Sequence, residues 1–405
     1  MMPIANADQL LAETRRGNTK QAAERRPTPQ GPALLAREQA RESKRRSRTV
    51  RLVTGLVALS TATLVSGPGR AAVINTITAN GYTFTNFDPP VTAPAVGSNA
   101  NGISNAGQVV GTEVDVNNAS TFTNFSGVPS STTFLNTGAG QIAFGINTAG
   151  NVVGGNGTTA FYLPAGGSLQ PLATPAGAIN AFGINDQGNI VGQFTTAAGT
   201  TPGFFLANIA STNFTTINAP SGPNVVNAQG ANNNGLIVGF YLGTDGQVHG
   251  FRANAASAVN NVLTGTAIAD PVIPTVPAEP GATFVFSQIL GVNDGGLASG
   301  YYGDSTTSQH GFLFNTNTGT YTFLDDPSAA FHNGVEITQI TGIANSGELA
   351  GFYTDGQGIA HSFVACPSGV VCPGTGSAGA VPEPASLALL GAGVLALVGL
   401  RRRMI

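Results

Sequence analysis

The sequence predicts an all-β repeat protein, and three observations carry that reading. A pattern of three glycines with fixed spacing recurs six times along the middle of the chain. Glycine numbers 55 in 405 residues and only 9% of residues are charged. Gly costs about 1 kcal/mol against Ala in a helix interior, and Asn, also abundant here, competes with the helix for backbone hydrogen bonds. Finally, β-branched and aromatic residues stand beside the glycines in short runs of strand length. With 41% hydrophobic residues and a formal net charge of −3, the composition is not that of a disordered chain.

The repeat reads Gly, four residues, Gly, three residues, Gly. Its copies are 102/107/111, 145/150/154, 183/188/192, 230/235/239, 291/296/300 and 342/347/351. Copy-to-copy steps are 43, 38, 47, 61 and 51 residues, in the range of propellers and stacked arrays. In the clearest copy, Ile184 and Ile190-Val191 flank Asn185-Asp186-Gln187-Gly188. That suits a hairpin whose loop ends on a left-handed glycine. The middle glycines Gly107, Gly150, Gly188, Gly235, Gly296 and Gly347 are therefore the expected turn residues. In the last four copies a further strand starts eleven residues after the third glycine, as at Gly203-Phe204 and Gly311-Phe312. Ahead of most hairpins lies another short strand ending near a proline, such as Tyr82–Pro89, Phe214–Pro220 and Tyr321–Pro327. The count is four strands per unit, which predicts a six-bladed β-propeller-like domain. A β-solenoid or open repeat array is the structural alternative. Residues 82–364 also resemble the HAF-type probable extracellular repeats of bacterial surface proteins, most closely in the last four units.

Both ends read as addresses. Residues 1–45 form a polar extension, or reflect a start codon placed too early. Lys44, Arg45, Arg46, Arg48 and Arg51 precede the apolar run 52–66, and small residues follow at Gly69, Ala71 and Ala72. This is the order of a secretory signal peptide, placed at 46–72 with cleavage near Ala71 or Ala72. The repeat domain is expected over 73–365 and a Gly-rich linker over 366–380. At the other end, Val381-Pro382-Glu383-Pro384 precedes an apolar run at 385–400 and then Arg401-Arg402-Arg403. Residues 381–405 resemble the PEP-CTERM sorting signal recognised by exosortases of Gram-negative bacteria. The resemblance implies export, transient insertion in the inner membrane by a transmembrane helix, processing near the motif by a separate membrane enzyme, and delivery to the cell surface or extracellular matrix. The physics is compatible: sixteen helical residues span about 24 Å against a hydrocarbon core of about 30 Å. The arginines behind them should stay cytoplasmic.

Charge excludes one class of partner. Of 17 Lys and Arg, thirteen lie in the first 70 residues and three at 401–403, leaving Arg252 alone for the middle. Residues 71–380 hold 14 acidic residues, so their net charge is 1 − 14 = −13. Such a body cannot neutralise phosphates, and nucleic acid is not expected as a partner.

Chemical motifs are sparse. Three matches to the dinucleotide fingerprint, at 138–143, 155–160 and 374–379, lack the strand-then-helix setting it needs. Cys366 and Cys372 suggest a small disulfide loop in an exported chain, with two free thiols as the alternative. Among four histidines, His249, His310 and His361 share one repeat slot just before Phe251, Phe312 and Phe363, whereas His332 does not. A symmetric metal or ligand site is one reading and a preferred strand residue the plainer one, so no metal, cofactor or catalytic residue is assigned. Asp186, Asp245, Asp294 and Asp355 sit at turn positions, where Asp is favoured for local hydrogen bonding; calcium is the alternative. The expected function is a non-enzymatic surface or matrix protein, with exopolysaccharide or another envelope glycan as a possible associate. A lectin-like glycan-binding propeller is the alternative, weakened by the absence of Trp. A propeller hydrolase would need converging carboxylates that no spacing here shows.

Overall fold

The computed structural model describes residues 72–90, 95–115, 121–138 and 140–372. The N-terminal extension, the signal segment to residue 71, the Pro-Glu-Pro motif and the C-terminal apolar run lie outside these. Among the described residues the only helical element is a 3-10 turn at Ala255–Ser257, and no helix is long and apolar enough to cross a membrane.

The rest is strand. β1 (Ala72–Ala79) and β2 (Tyr82–Asp88) precede the first glycine triplet. The first unit is β3 (Gly97–Ile103), β4 (Val109–Val114), β5 (Thr121–Val128) and β6 (Ser131–Leu135). The second is β7 (Ile142–Ile146), β8 (Val152–Gly155), β9 (Ala160–Leu163) and β10 (Gln170–Pro171). The third is β11 (Ala178–Ile184), β12 (Ile190–Phe194), β13 (Gly203–Leu206) and β14 (Thr215–Asn218). The fourth has β15 (Val226–Ala231), β16 (Leu236–Leu242), β17 (Val248–Asn254), β18 (Val262–Thr264) and β19 (Thr266–Ala267). The fifth is β20 (Phe284–Val292), β21 (Leu297–Asp304), β22 (Gln309–Asn315) and β23 (Thr320–Phe323). The last triplet lies on β24 (Thr338–Ile343) and β25 (Leu349–Thr354), followed by β26 (Ala360–Pro367).

The arrangement is all-β and propeller-like, but not six separate four-stranded sheets. Four sheets of four or five strands stand as separate blades, and a fifth sheet has nine strands. The nine-stranded sheet holds the second and third units, joined where Asn180 pairs with Gly155. It also gains β18, which leaves its own unit to pair parallel with β14. The five-stranded sheet carries β1 as an extra edge strand. In that sheet β2, from the start of the described chain, pairs antiparallel with β26 from its end. The pre-proline strands thus complete the sheet of the preceding unit: β14 pairs with β13, β23 with β22, and β2 with β26.

Each glycine of the triplet meets a different constraint. The first follows a β-bulge in the unit's first strand, in all six units. The middle one closes the hairpin with φ between 71° and 83°. The third lies under an aromatic ring: a Cβ there would strike Phe125, Phe161, Phe204, Phe251, Phe312 or Phe363, besides a strand carbonyl. Those rings are among the largest fully buried side chains, so glycine and phenylalanine interlock in every unit.

Candidate functional site

The first strands of the six units surround a central cavity of about 260 Å³. The bulge explains what faces it. An inserted residue loses its ladder partner and is re-aimed, and the six bulged residues, Asn101, Phe144, Phe182, Gln229, Leu290 and Thr341, all line the cavity. The wall is mixed. Phe144 and Phe182 pack with ring centroids 5.1 Å apart, while Asn101 donates to Ala143 O at 2.9 Å and Thr341 Oγ1 to Ala100 O at 2.8 Å.

The hairpin loops join units to one another around this axis, both neighbours and, at Asn105 and Asp186, the first unit to the third. Two residues after the first glycine stands an asparagine in four units. Asn185 Oδ1 accepts from the N–H of Gln187 and Asn189, holding its own turn, while its amide donates to Asn232 O at 2.9 Å. Asn232 repeats this toward Asn293 O, again at 2.9 Å, and Asn147 donates to Asn185 O at 3.1 Å. One position further, all six side chains or backbones link up. Asp186 accepts from Thr148 N and Asn105 Nδ2, Asn105 Oδ1 from Asn345 N, and Asp294 from Asn233 and Asn345. The expectation of local bonding at Asp186 and Asp294 is therefore corrected. The preceding asparagine already makes the local bonds, which frees the aspartate to reach across. These hydrogen bonds hold the Asp294 carboxyl below its ordinary range although burial opposes them.

The shared histidine slot builds a second feature. Each of the three histidines pairs across the strands with a tyrosine: Tyr241 with His249, Tyr302 with His310 and Tyr353 with His361. The rings lie 5.8, 5.1 and 5.4 Å apart. Each imidazole sits between acids. His249 Nδ1 meets Asp270 at 2.9 Å and Nε2 meets Asp245 at 3.0 Å. His361 Nδ1 meets Asp88 at 2.9 Å and Nε2 meets Asp355 at 3.4 Å. His310 Nδ1 meets Asp325 at 2.9 Å and Nε2 meets Glu279 at 3.1 Å. Burial alone would lower all three pKa values, but the carboxylates raise them, that of His310 to about 9. With both ring nitrogens engaged, none is free to act as a general base. Asp245 and Asp355 also make the expected local bonds, to Gln247 N and to Gln357 N and Ile359 N. His332 stands apart, its Nδ1 3.3 Å from Gly356 O.

Glu279, Asp304 and His310 are all buried, with one ligand-capable atom from each lying within 4.8 Å of the others. Sequence spacing does not reveal this cluster. Its one trace is the 61-residue step into the fifth triplet, the longest in the chain, which supplies the segment carrying Glu279. Cys366 and Cys372 are bonded to one another at the end of β26.

Comparison with known proteins adds the decisive feature outside the described residues. Residues 380–403 match the family model of the PEP-CTERM protein-sorting motif. The chain carries a PEP-CTERM sorting signal. That signal marks an exported protein, recognised by an exosortase and held transiently at the membrane. The match covers the tail alone, so the HAF-type resemblance of the repeats stands apart from it. No curated protein matches the sequence. Among solved structures, TolB from Acinetobacter baumannii is 10% identical with a TM-score of 0.33, covering 75% of this chain and 64% of TolB. A puromycin hydrolase is 11% identical with a TM-score of 0.35, covering 72% and 53%. The Aleuria aurantia lectin mutant N224Q, in complex with Fucalpha1-6GlcNAc, is 12% identical with a TM-score of 0.36, covering 69% and 97%. The chain thus spans just under two thirds of TolB and about half of the hydrolase.

Proposed function

We propose that this PEP-CTERM protein is a non-enzymatic surface or matrix component whose HAF-type repeats form one closed propeller of six units, displayed after exosortase processing. The observation that carries the reading is the sorting signal at 380–403, placed directly after a body whose two ends are sewn together. A ring closed by β2 and β26 leaves only β1 as an added edge strand at this seam, which suits a protein exposed outside the cell. The engaged imidazoles favour a structural role over catalysis. In this reading the signal peptide is removed near Ala72, the run 385–400 inserts as a transmembrane helix, and Arg401–Arg403 hold it until the motif is cut.

Mass spectrometry of the surface-localised protein tests this. The mature N-terminus should lie near Ala72 or Val73, and residues 401–403 should be missing. Replacing Pro382-Glu383-Pro384 by three alanines should leave export intact and trap full-length protein in the inner membrane. Replacing the three arginines by serine should instead release unprocessed chain. Equal surface delivery of the alanine variant and the parent would overturn the sorting reading.

A second reading, glycan binding, is favoured by the cavity wall, where the Phe144 and Phe182 rings lie beside the polar side chains of Asn101, Gln229 and Thr341. Sugars are held by such pairings of aromatic faces with fixed polar groups. A glycan array with the parent and with Phe182→Ala separates the two readings: binding lost in the variant selects the second.

A further inference from the structure

The three histidine slots are equivalent by repeat position, yet one differs in what faces the Nε2 nitrogen. At His249 and His361 the facing acid is a partly exposed aspartate from the adjoining turn, Asp245 or Asp355. At His310 the facing acids are Glu279 and Asp304. The side chains of His310, Glu279 and Asp304 are 2%, 3% and 1% exposed. Glu279 arrives on the long connection 268–283 between β19 and β20.

We propose that Glu279, Asp304 and His310 form a structural site for one divalent transition-metal cation of the zinc or manganese class, which pins this connection to the β21–β22 turn. Four observations converge on this. Metal bonds of about 2.0–2.1 Å set neighbouring ligand atoms about 2.8–3.4 Å apart, from octahedral to tetrahedral angles; Nε2 lies within that range of Glu279 Oε2, at 3.1 Å, and just beyond it from Asp304 Oδ2, at 3.8 Å. The second distance is beyond hydrogen-bond reach, so the two atoms face one another without sharing a proton. Behind the ring, Asp325 Oδ2 lies 2.9 Å from Nδ1. A carboxylate in that place accepts from Nδ1–H and turns Nε2 outward as a ligand, the usual support for a metal-bound histidine. The ligating acids are themselves braced: Ser308 donates to Glu279 Oε1, and the single Thr306 hydroxyl proton lies between Glu279 Oε1 at 2.8 Å and Asp304 Oδ1 at 2.6 Å.

Charge is the fourth observation. Three carboxyl groups gather around one imidazole, with Glu336 close enough for its own pKa to be raised by burial and by Asp325. Arg252 is the single Lys or Arg among the described residues, and its guanidinium donates to Thr316 O at the other end of β22. His310, when protonated, supplies one positive charge among these groups, whereas a divalent cation in place of its Nε2 proton supplies two, against a cost of several kcal/mol for each buried carboxylate left unmatched. Closure of the site against solvent suits a structural metal, since catalytic sites keep an open position.

The test uses the full chain, stripped with a chelator and dialysed against zinc or manganese chloride. Elemental analysis should find one equivalent retained through gel filtration, and the thermal midpoint should rise with the cation and fall on chelation. Glu279→Gln should weaken cation binding at least about tenfold. His249→Gln and His361→Gln, in the same repeat slot, should retain the parent's stoichiometry. Because a buried substitution can unfold the chain, far-UV circular dichroism accompanies each variant, and the parent's own response decides independently. No retained cation and no thermal shift in the parent would overturn the proposal, as would parental affinity in a folded Glu279→Gln protein.

Discussion

His361, on the last strand, meets Asp88, at the end of the second, across 273 residues of chain, with Nδ1 and Oδ2 2.9 Å apart. The pair sits where the fold joins its two ends. Closing a loop of that length costs about 5 kcal/mol in chain entropy, more than one charge-assisted hydrogen bond of about 1.5–3 kcal/mol returns. The pair therefore cannot close the ring by itself. The β2–β26 ladder and the Phe84–Phe363 edge contact, with centroids 5.4 Å apart, supply the rest. Ser98 Oγ also donates to Asp88 at 3.0 Å and meets Ser362 Oγ at 2.8 Å, extending the seam to the first unit.

The seam should respond to pH. The pKa of His361 is raised from 6.5, because Asp88 and Asp355 outweigh its burial. A raised folded value stabilises fully below 6.5 and loses that contribution as pH rises through the folded pKa. His249 and His310 act in the same direction, the latter up to about 9. With chelator present, urea-denaturation stability of the parent should fall between about pH 6.5 and pH 9. His361→Gln should cost about 1–2 kcal/mol at pH 6 and flatten part of that fall. A variant as pH-sensitive as the parent would show that the pair contributes nothing to closure.

Two glycines of one motif should differ in the size of their response. At Gly239, a Cβ would strike Asn227 O and the Phe251 ring, both fixed in the core. Gly239→Ala should cost about 3 kcal/mol or prevent folding. Gly188 has φ 80° with open space around it, so Gly188→Ala should cost only about 1–2 kcal/mol of backbone strain. Thermal unfolding of the two variants side by side measures the difference.

The inter-unit latch should show in Asn232→Ala. This change deletes the bond to Asn293 O and the two bonds that Oδ1 accepts from Asn234 and Leu236. Asn293 O keeps its bond from Gly296 N, so the loss is that of three hydrogen bonds, about 2–4 kcal/mol. Asp is the informative control. Asn232→Asp keeps the local turn but cannot donate, so hydrogen exchange in β20 should accelerate while the hairpin turn stays protected.

The cysteine loop predicts a milder effect. Cys366 and Cys372 are six residues apart, and crosslinking so short a loop is worth about 2 kcal/mol. Cys366→Ser with Cys372→Ser should lower the thermal midpoint by several degrees while the far-UV spectrum of the body is kept, because the loop lies at the C-terminal end of β26. A parent unaffected by reducing agent would show that the crosslink does not contribute.

Sequence alone determined the local pieces. The middle glycines mark hairpins because a left-handed turn residue is a property of a few consecutive dihedrals, and Gly relieves it at any site. The pre-proline strands, the start of β13, the existence of β17, β22 and β26 (each of which begins two residues before its expected start), and the shared histidine slot were legible for the same reason: each is set by neighbours within a dozen residues. The sorting signal, too, is a linear word. Tertiary structure alone decided the partners. Nothing in the spacing tells that Asp88 belongs to His361, that Glu279 folds over His310, or that Asn105 reaches Asp186, since these contacts span 273, 31 and 81 residues. It also decided which strands share a sheet: β18 left its unit for β14, and one pairing, Asn180 with Gly155, merged two blades. Backbone hydrogen bonding is indifferent to side-chain identity, so sequence can say where a strand runs but only the packed chain can say which edge it finds.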